Sequence, residues 1–327
     1  MKKIEKLINN LIYDSTFILK MDMADEATAA LRGEANLEIS GVSEKIDEQA
    51  AGIVRTITIL NEQGESLMGR PQGKYITIET PDSTSVWQNP TDLIALTAQQ
   101  LKVLMPQNKK ISSLLIVGLG NKAATPDALG PLVVEKTMAT RHIFRYAPEK
   151  IDSSLVSVCA VAPGVLGNTG IETAEIIKAL ASLVQPDAVI AVDSLASASI
   201  SRVGTTIQFS NTGLAPGGGV GNKRMAVSNS AIGVPVIAIG VPTVVDCTAI
   251  IGETITVLQE QGMLNLQDES AIAAVREQML ENFAGNLTVT PKNIDNLVDS
   301  LSTILAGALA IAIHPGVTAE NYNDYLN

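Results

Sequence analysis

The sequence predicts an α/β fold: a mostly parallel central sheet with helices on both faces, a small antiparallel β region in the N-terminal third and a helical C-terminus. Three observations carry that prediction. Between about residues 110 and 250, continuous apolar runs such as SLLIVG and AVIAV alternate with helix-length segments, the pattern of strands buried on both faces. Between 52 and 80, apolar and polar residues alternate one by one, as in IVRTITIL and YITIET, which suits strands joined by turns. Beyond about 250 the apolar residues recur with helical spacing.

In chain order, residues 1 to about 20 form an appendage, basic at its start and weakly helical, and ADEATAALR (24–32) reads as a helix. The two alternating strands are separated by NEQGES and GRPQGK, read as turns. A helix spans Trp87 to Leu104, with Thr91 or Asp92 as its cap. Then come strand SSLLIVGLG, helix LGPLVVEKTMAT, strand SLVSVCAVAPG, helix TGIETAEIIKALASLV and strand DAVIAVDSLA. TTIQFSNTG reads as an edge strand, and VPVIAIGVP as a strand with a helix after TVVD. ETITVLQEQGML, ESAIAAVREQMLENF and KNIDNLVDSLSTILAGALAIAI complete the helical C-terminus.

Composition narrows the function. Of 327 residues, 46% are hydrophobic but only 3% aromatic, so Ala, Val, Ile and Leu must fill the core. A net charge of -11 weighs against direct nucleic-acid binding. Cys159 and Cys247 form no CxxC pair and read as reduced core residues of an intracellular protein. The N-terminal MKKIEKLINNLIYDSTFILK has no continuous apolar stretch and no small-residue cleavage site, so it does not read as a signal peptide. The run Ile304–Ile313 falls short of the roughly 20 residues a membrane span needs. The expectation is a cytoplasmic protein with no membrane partner.

Ligands of parallel α/β sheets bind beyond the carboxyl ends of the strands. There the first βα loop carries Asn121, Thr125 and Asp127, VIAVD ends at Asp193, and VPTVVD ends at Asp246. Asp127 admits three readings: helix cap, metal ligand, or catalytic acid/base. Asp193 closes a buried strand, where a carboxylate is either bonded to nearby backbone N–H groups or held for chemistry. Asp246 precedes a helix and reads first as its cap. Asp127 and Asp193 leave the same edge of one sheet. Two carboxylates sharing a site cannot both ionise cheaply, so one would act as acid and the other as base. Such a pair can activate water and protonate a leaving amine.

Other chemistries lack their residues. There is no G-x-S-x-G elbow, and the only histidines, His142 and His314, have no second His or Cys at zinc-ligand spacing. GLGNKAATPDALG lacks the third glycine of a dinucleotide loop and the GK[ST] of a P-loop. The glycine loop APGGGVGNKR can nest an anion with Lys223 and Arg224, line a substrate cleft, or serve as a plain turn.

The ordered set VGLGN…TPDALGP, GNTGIETAEII, PDAVIAVDSLA, RVGTTIQFSNTG, PGGGVGNKR and IGVPVIAIGVPTVVD resembles the spore germination protease family, strongly over about 110–255. The resemblance implies an endopeptidase that degrades small acid-soluble, DNA-coating spore proteins in the developing-spore cytoplasm. It implies a homotetrameric zymogen matured by loss of a short N-terminal propeptide, and two catalytic aspartates falling on Asp127 and Asp193. It places the propeptide at 1–20, a single protease domain at 21–327 with a β-rich insertion around 52–80, and the cut between Lys20 and Met21, in KMDMADEA. Asn121, Gly217, Gly219 and Gly221 are the candidate substrate or oxyanion contacts, and no cofactor or metal is expected. The family pattern expects Asp at 211 and Ser at 218, where Asn211 and Gly218 stand. Two other readings stay open: a metal-dependent protease like the hydrogenase-maturation enzymes, and a non-catalytic anion-binding or assembly protein using Lys223 and Arg224.

Overall fold

The computed structural model describes residues 39–81, 90–151, 154–214, 225–263, 278 and 287–326. The expected propeptide, the Lys20–Met21 bond, the 24–32 helix and the glycine loop with Gly217, Gly218, Gly219, Gly221, Lys223 and Arg224 lie outside those residues, as does nearly all of ESAIAAVREQMLENF.

The strands are β1 (Val42–Gln49), β2 (Gly52–Ile59), β3 (Gly73–Glu79), β4 (Ser113–Gly118), β5 (Ser157–Val161), β6 (Ala188–Ser197), β7 (Thr206–Ser210), β8 (Val236–Asp246) and β9 (Thr288–Val289). They form one sheet in the order β1-β2-β3-β7-β8-β6-β4-β5, with β9 against β8. The helices are α1 (Glu62–Met68), α2 (Pro90–Leu104), α3 (Leu129–Lys136), α4 (Arg141–Tyr146), α5 (Leu166–Thr169), α6 (Thr173–Val184), α7 (Asn229–Ile232), α8 (Cys247–Glu260) and α9 (Ile294–Ile313).

The expectation of a mostly parallel sheet needs correction. Only β8-β6-β4-β5 run parallel; β1, β2, β3, β7 and β9 pair antiparallel. The N-terminal hairpin is no separate β region. It continues the same sheet through β7, which is interior and buried at all five positions rather than an edge. NEQGES is not a turn but most of α1, begun by the Asn61 side chain accepting the Gly64 N–H and ended by Gly69 in the left-handed region. Helix α2 is described from Pro90 on, with Thr91 and Asp92 inside it rather than at its cap, and the expected start at Trp87 lies outside the described residues.

Helices do cover both faces. Leu114, Ile116, Ile190 and Val192 pack beneath α2, α3 and α9, while Leu115, Val117, Val189 and Ala191 pack against α6 and Ile232. This is the period-2 alternation of buried strands with both faces lined by apolar side chains. Asp187 fastens the N-terminal end of the layer. Its carboxylate accepts the Ser112 and Ser113 N–H groups at 2.7 and 3.0 Å and pairs with Lys109. Helix α9 buries Leu297, Val298, Leu301, Ile304, Leu305, Ala308 and Leu309. Its 20 residues contain an 18-residue window of mean hydropathy 1.7, long and apolar enough to cross a membrane, but the helix lies within the core with two-thirds of that window buried.

Candidate active site

The carboxyl end of β4 is shaped by close backbone approach. A Cβ on Gly118 would lie 2.1 Å from the Gly130 carbonyl oxygen, so β4 and the start of α3 touch through backbone alone. A Cβ on Gly130 would meet the Leu119 oxygen at 2.3 Å and the Val192 oxygen at 2.6 Å. The Leu119 N–H donates to the Val192 carbonyl (2.8 Å), carrying the β4–β6 register one residue further. The chain then turns at Gly120, whose φ of 107° lies in the region open to glycine.

That turn brings Asn121 to Asp127. The Asn121 N–H donates to Asp127 Oδ2 at 2.7 Å, and Asn121 Oδ1 accepts the Ala123 N–H at 3.0 Å. Asp127 closes a short 3-10 turn, Thr125–Asp127, and its N–H donates to the Ala124 carbonyl. It does not cap α3, whose N-cap is Ala128 with no side-chain bond. The helix-cap reading of Asp127 is thereby set aside: its carboxylate turns back onto the loop.

Asp193 is not at a strand end. β6 runs on to Ser197, paired with β8 past Asp193, and the side chain is 5% exposed. Its neighbour on the other side does stop there, since β4 pairs with β6 only to Val192. Asp193 Oδ1 accepts the Ser194 N–H at 2.9 Å. The Thr125–Asp127 turn packs against β6 and β8, and the Thr243 hydroxyl donates to the Pro126 carbonyl at 2.6 Å. Asn121 and Asp127 are therefore in direct contact, and Asp193 stands on the strand beside their turn.

The other strand-end residues have structural roles. Asp246 Oδ1 accepts both the N–H (2.7 Å) and hydroxyl (2.6 Å) of Thr248, the bonding of a cap to α8. Asn211 Oδ1 accepts the Lys74 N–H at 2.8 Å, tying the end of β7 to β3. His314 is a core residue: its Nδ1 accepts the Val156 N–H at 3.1 Å, its ring stacks on Tyr325, and burial lowers its pKa to about 4. Among the described residues no group of three or more His, Cys, Asp or Glu converges as a metal site.

Sequence reading passes over Gln208. It sits in register with Gly240, which is in register with Asp193, so the three form one row across β7, β8 and β6, with the Leu195 side chain lying over Gly240. Gln208 is buried, and its Oε1 has no hydrogen-bond partner among the described residues. The available signal is a carboxamide inside TIQF, between residues of an interior strand.

By class this is a mixed α/β protein with a carboxylate-bearing βα loop fixed at the carboxyl edge of a sheet covered on both faces. The family model described as germination protease matches residues 18–272. The germination protease of Clostridium tetani is 42% identical, with 94% of this chain and 99% of its own covered. That of Bacillus subtilis is 35% identical, covering 99% and 100%. The NiFe hydrogenase maturation protease HycI of Thermococcus kodakarensis aligns with a TM-score of 0.31 at 15% identity over 64% of this chain and 98% of its own, too slight a likeness to bear on mechanism. The chain belongs to the germination protease family and is a protease.

Proposed function

We propose that the chain is an endopeptidase, made as a self-processing zymogen, that degrades small acid-soluble DNA-binding proteins of the spore during germination. In this reading Asp127 and Asp193 act as a pair. One carboxylate takes a proton from water as the water attacks the scissile carbonyl, and the other, protonated, supports the carbonyl oxygen and then the leaving nitrogen. The pair would titrate as a unit. The observation that carries this reading is the placement of Asp127: a carboxylate aimed back into its loop by the Asn121 N–H, beside the strand bearing buried Asp193. Family membership supports the proteolytic part of it.

Further parts of the proposal are removal of residues 1–20 at Lys20–Met21, a homotetramer, substrate contacts from Asn121 and the glycine loop, and action in the cytoplasm of the developing spore. The test is self-processing of the full chain on mild acidification, read by mass spectrometry of the N-terminus. The wild type should lose about 20 residues, while Asp127→Asn and Asp193→Asn should each stay intact and each lose cleavage of a small acid-soluble spore protein. Processing by either variant at the wild-type rate would remove that aspartate from the mechanism.

A further inference from the structure

Among the described residues the sheet ends in an open edge at β5. Its first outward groups are already bonded: the Val156 N–H to His314, the Val156 carbonyl to the Thr140 hydroxyl, and both the N–H and carbonyl of Val158 to Thr140. Outward-facing residues alternate along a parallel strand. The next outward positions are therefore Ala160 and, just past the strand, exposed Ala162. An edge with unpaired N–H and C=O groups is a template for another extended chain.

Beside that edge lies a recess of about 280 Å³, lined by Arg141, His142, Arg145 and Tyr146 of α4 and by Val158, Cys159 and Ala160 of β5. The arginines sit on one six-residue helix with no acidic residue in it. Neither has an ion pair or side-chain hydrogen bond among the described residues. Arg141 is close enough to β5 that its charge offsets part of the rise burial imposes on the Cys159 thiol. In a chain of net charge -11, two guanidinium groups with no partner among the described residues, beside a strand edge, form a local exception to the field.

We propose that the β5 edge and the Arg141/Arg145 recess bind an extended segment of the polypeptide substrate by strand addition, with the arginines pairing its Asp or Glu side chains. This rests on the proteolytic reading above and adds where the substrate is held. Arginine suits the task because its planar fork meets a carboxylate with two parallel hydrogen bonds. Ala160 is one residue from the end of β5, so the added strand leaves the edge at the side of the sheet where Asp127 lies. With strands about 4.8 Å apart, two to three spacings separate it from the Asp127 turn and β6, roughly 10–14 Å. At about 3.3 Å per extended residue, the recognised carboxylate lies some three to four residues or more from the scissile bond.

The test uses the full chain carrying Asp127→Asn and two fluorescein-labelled ten-residue peptides of Thr and Val. One bears three Glu and the other three Gln at the same places. Anisotropy should show the Glu peptide binding at least tenfold tighter. Added salt should erode that preference, and Arg141→Ala/Arg145→Ala should abolish it. Methylating alternate backbone nitrogens of the Glu peptide in the register facing Ala160 should weaken it tenfold or more. Arg145→Gln alone, at an exposed position, should give an intermediate loss and serves if the double variant does not fold. Equal binding of the two peptides, no binding of either, or a Glu preference that survives loss of the arginines would overturn the proposal. Hydrolysis of the probe by Asp127→Asn would instead count against the aspartate pair and leave the docking site standing.

Discussion

Substituting Ala for Gly130 sets two physical effects against each other. Gly130 is the second residue of α3, where alanine alone would favour the helix by up to about 1 kcal/mol. Its new Cβ, however, would lie 2.3 Å from the Leu119 oxygen, 2.5 Å from the Leu119 nitrogen and 2.6 Å from the Val192 oxygen. All three are backbone atoms, and real Cβ contacts essentially never fall under 3.0 Å. No side chain can swing away, so α3 must lift from the sheet. Overpacking of this kind costs about 1–3 kcal/mol, which, less a helix gain of up to about 1 kcal/mol, leaves a net loss of up to roughly 3 kcal/mol. A stability of ~5–15 kcal/mol tolerates that, so the variant should still fold. The site should suffer more. The strained atoms include both residues of the Leu119–Val192 hydrogen bond, one residue from Gly120 and one from Asp193. A shift of about 1 Å in reacting groups costs on the order of 100-fold in rate. Urea unfolding and initial rates on the proposed substrate, a small acid-soluble spore protein, measure the two effects separately. Gly167→Ala is the control, since nothing lies within 4 Å of its would-be Cβ in another short helix. If Gly130→Ala matches or exceeds the wild type in both stability and rate, the steric account of the α3–β4 junction is refuted.

Three further outcomes are expected. His314 has a folded pKa of about 4 against an ordinary 6.5, so it contributes stability that is complete above 6.5 and lost as pH falls toward 4, up to about 3 kcal/mol. Urea titrations at pH 7 and 4.5 should show that loss, and His314→Asn should flatten it while lowering stability at pH 7. Asp246→Ala should cost about 0.5–2 kcal/mol, as loss of a helix cap does, with kcat unchanged; a large fall in kcat would return Asp246 to the site. Gln208→Leu should raise the melting temperature by replacing, at similar volume, a buried carboxamide whose Oε1 has no partner among the described residues, and a drop would mean that Oε1 is paired in solution, for instance by water.

Much of this architecture is legible in the sequence for a simple reason: β4, β6 and the first part of β8 are apolar on both faces, and only a doubly covered strand is. What the sequence hides is decided by partners. β1, VSEKIDEQ, has no buried position, and it is a strand because β2 pairs with all eight of its residues. β7 looks like an edge because Thr206, Gln208 and Ser210 are polar, yet β3 and β8 enclose it. Asp193 reads as a strand end from the apolar run before it. β6 continues because β8 is eleven residues long and runs beside it. In the site, Asp127 is legible as a strand-edge carboxylate. Its turning away from α3 is not, since that depends on the positive φ of Gly120 and on the Asn121 N–H. Asn61 and Gly69, by contrast, are ordinary start and stop signals for α1, obscured only by the intervening polar residues.

Helix α9 covers β4 and β6 together with α2 and α3, and every strand of that layer except β9 precedes it by at least 48 positions (294 − 246). A chain emerging from the ribosome therefore presents Leu114, Ile116, Ile190 and Val192 without the α9 part of their cover until translation has passed residue 313. Completion of this layer is a late, long-range event, and until then both the half-covered sheet and the apolar helix are surfaces for chaperones to shield. The α9 side of this core is thus closed by a segment that the chain supplies well after the strands it covers.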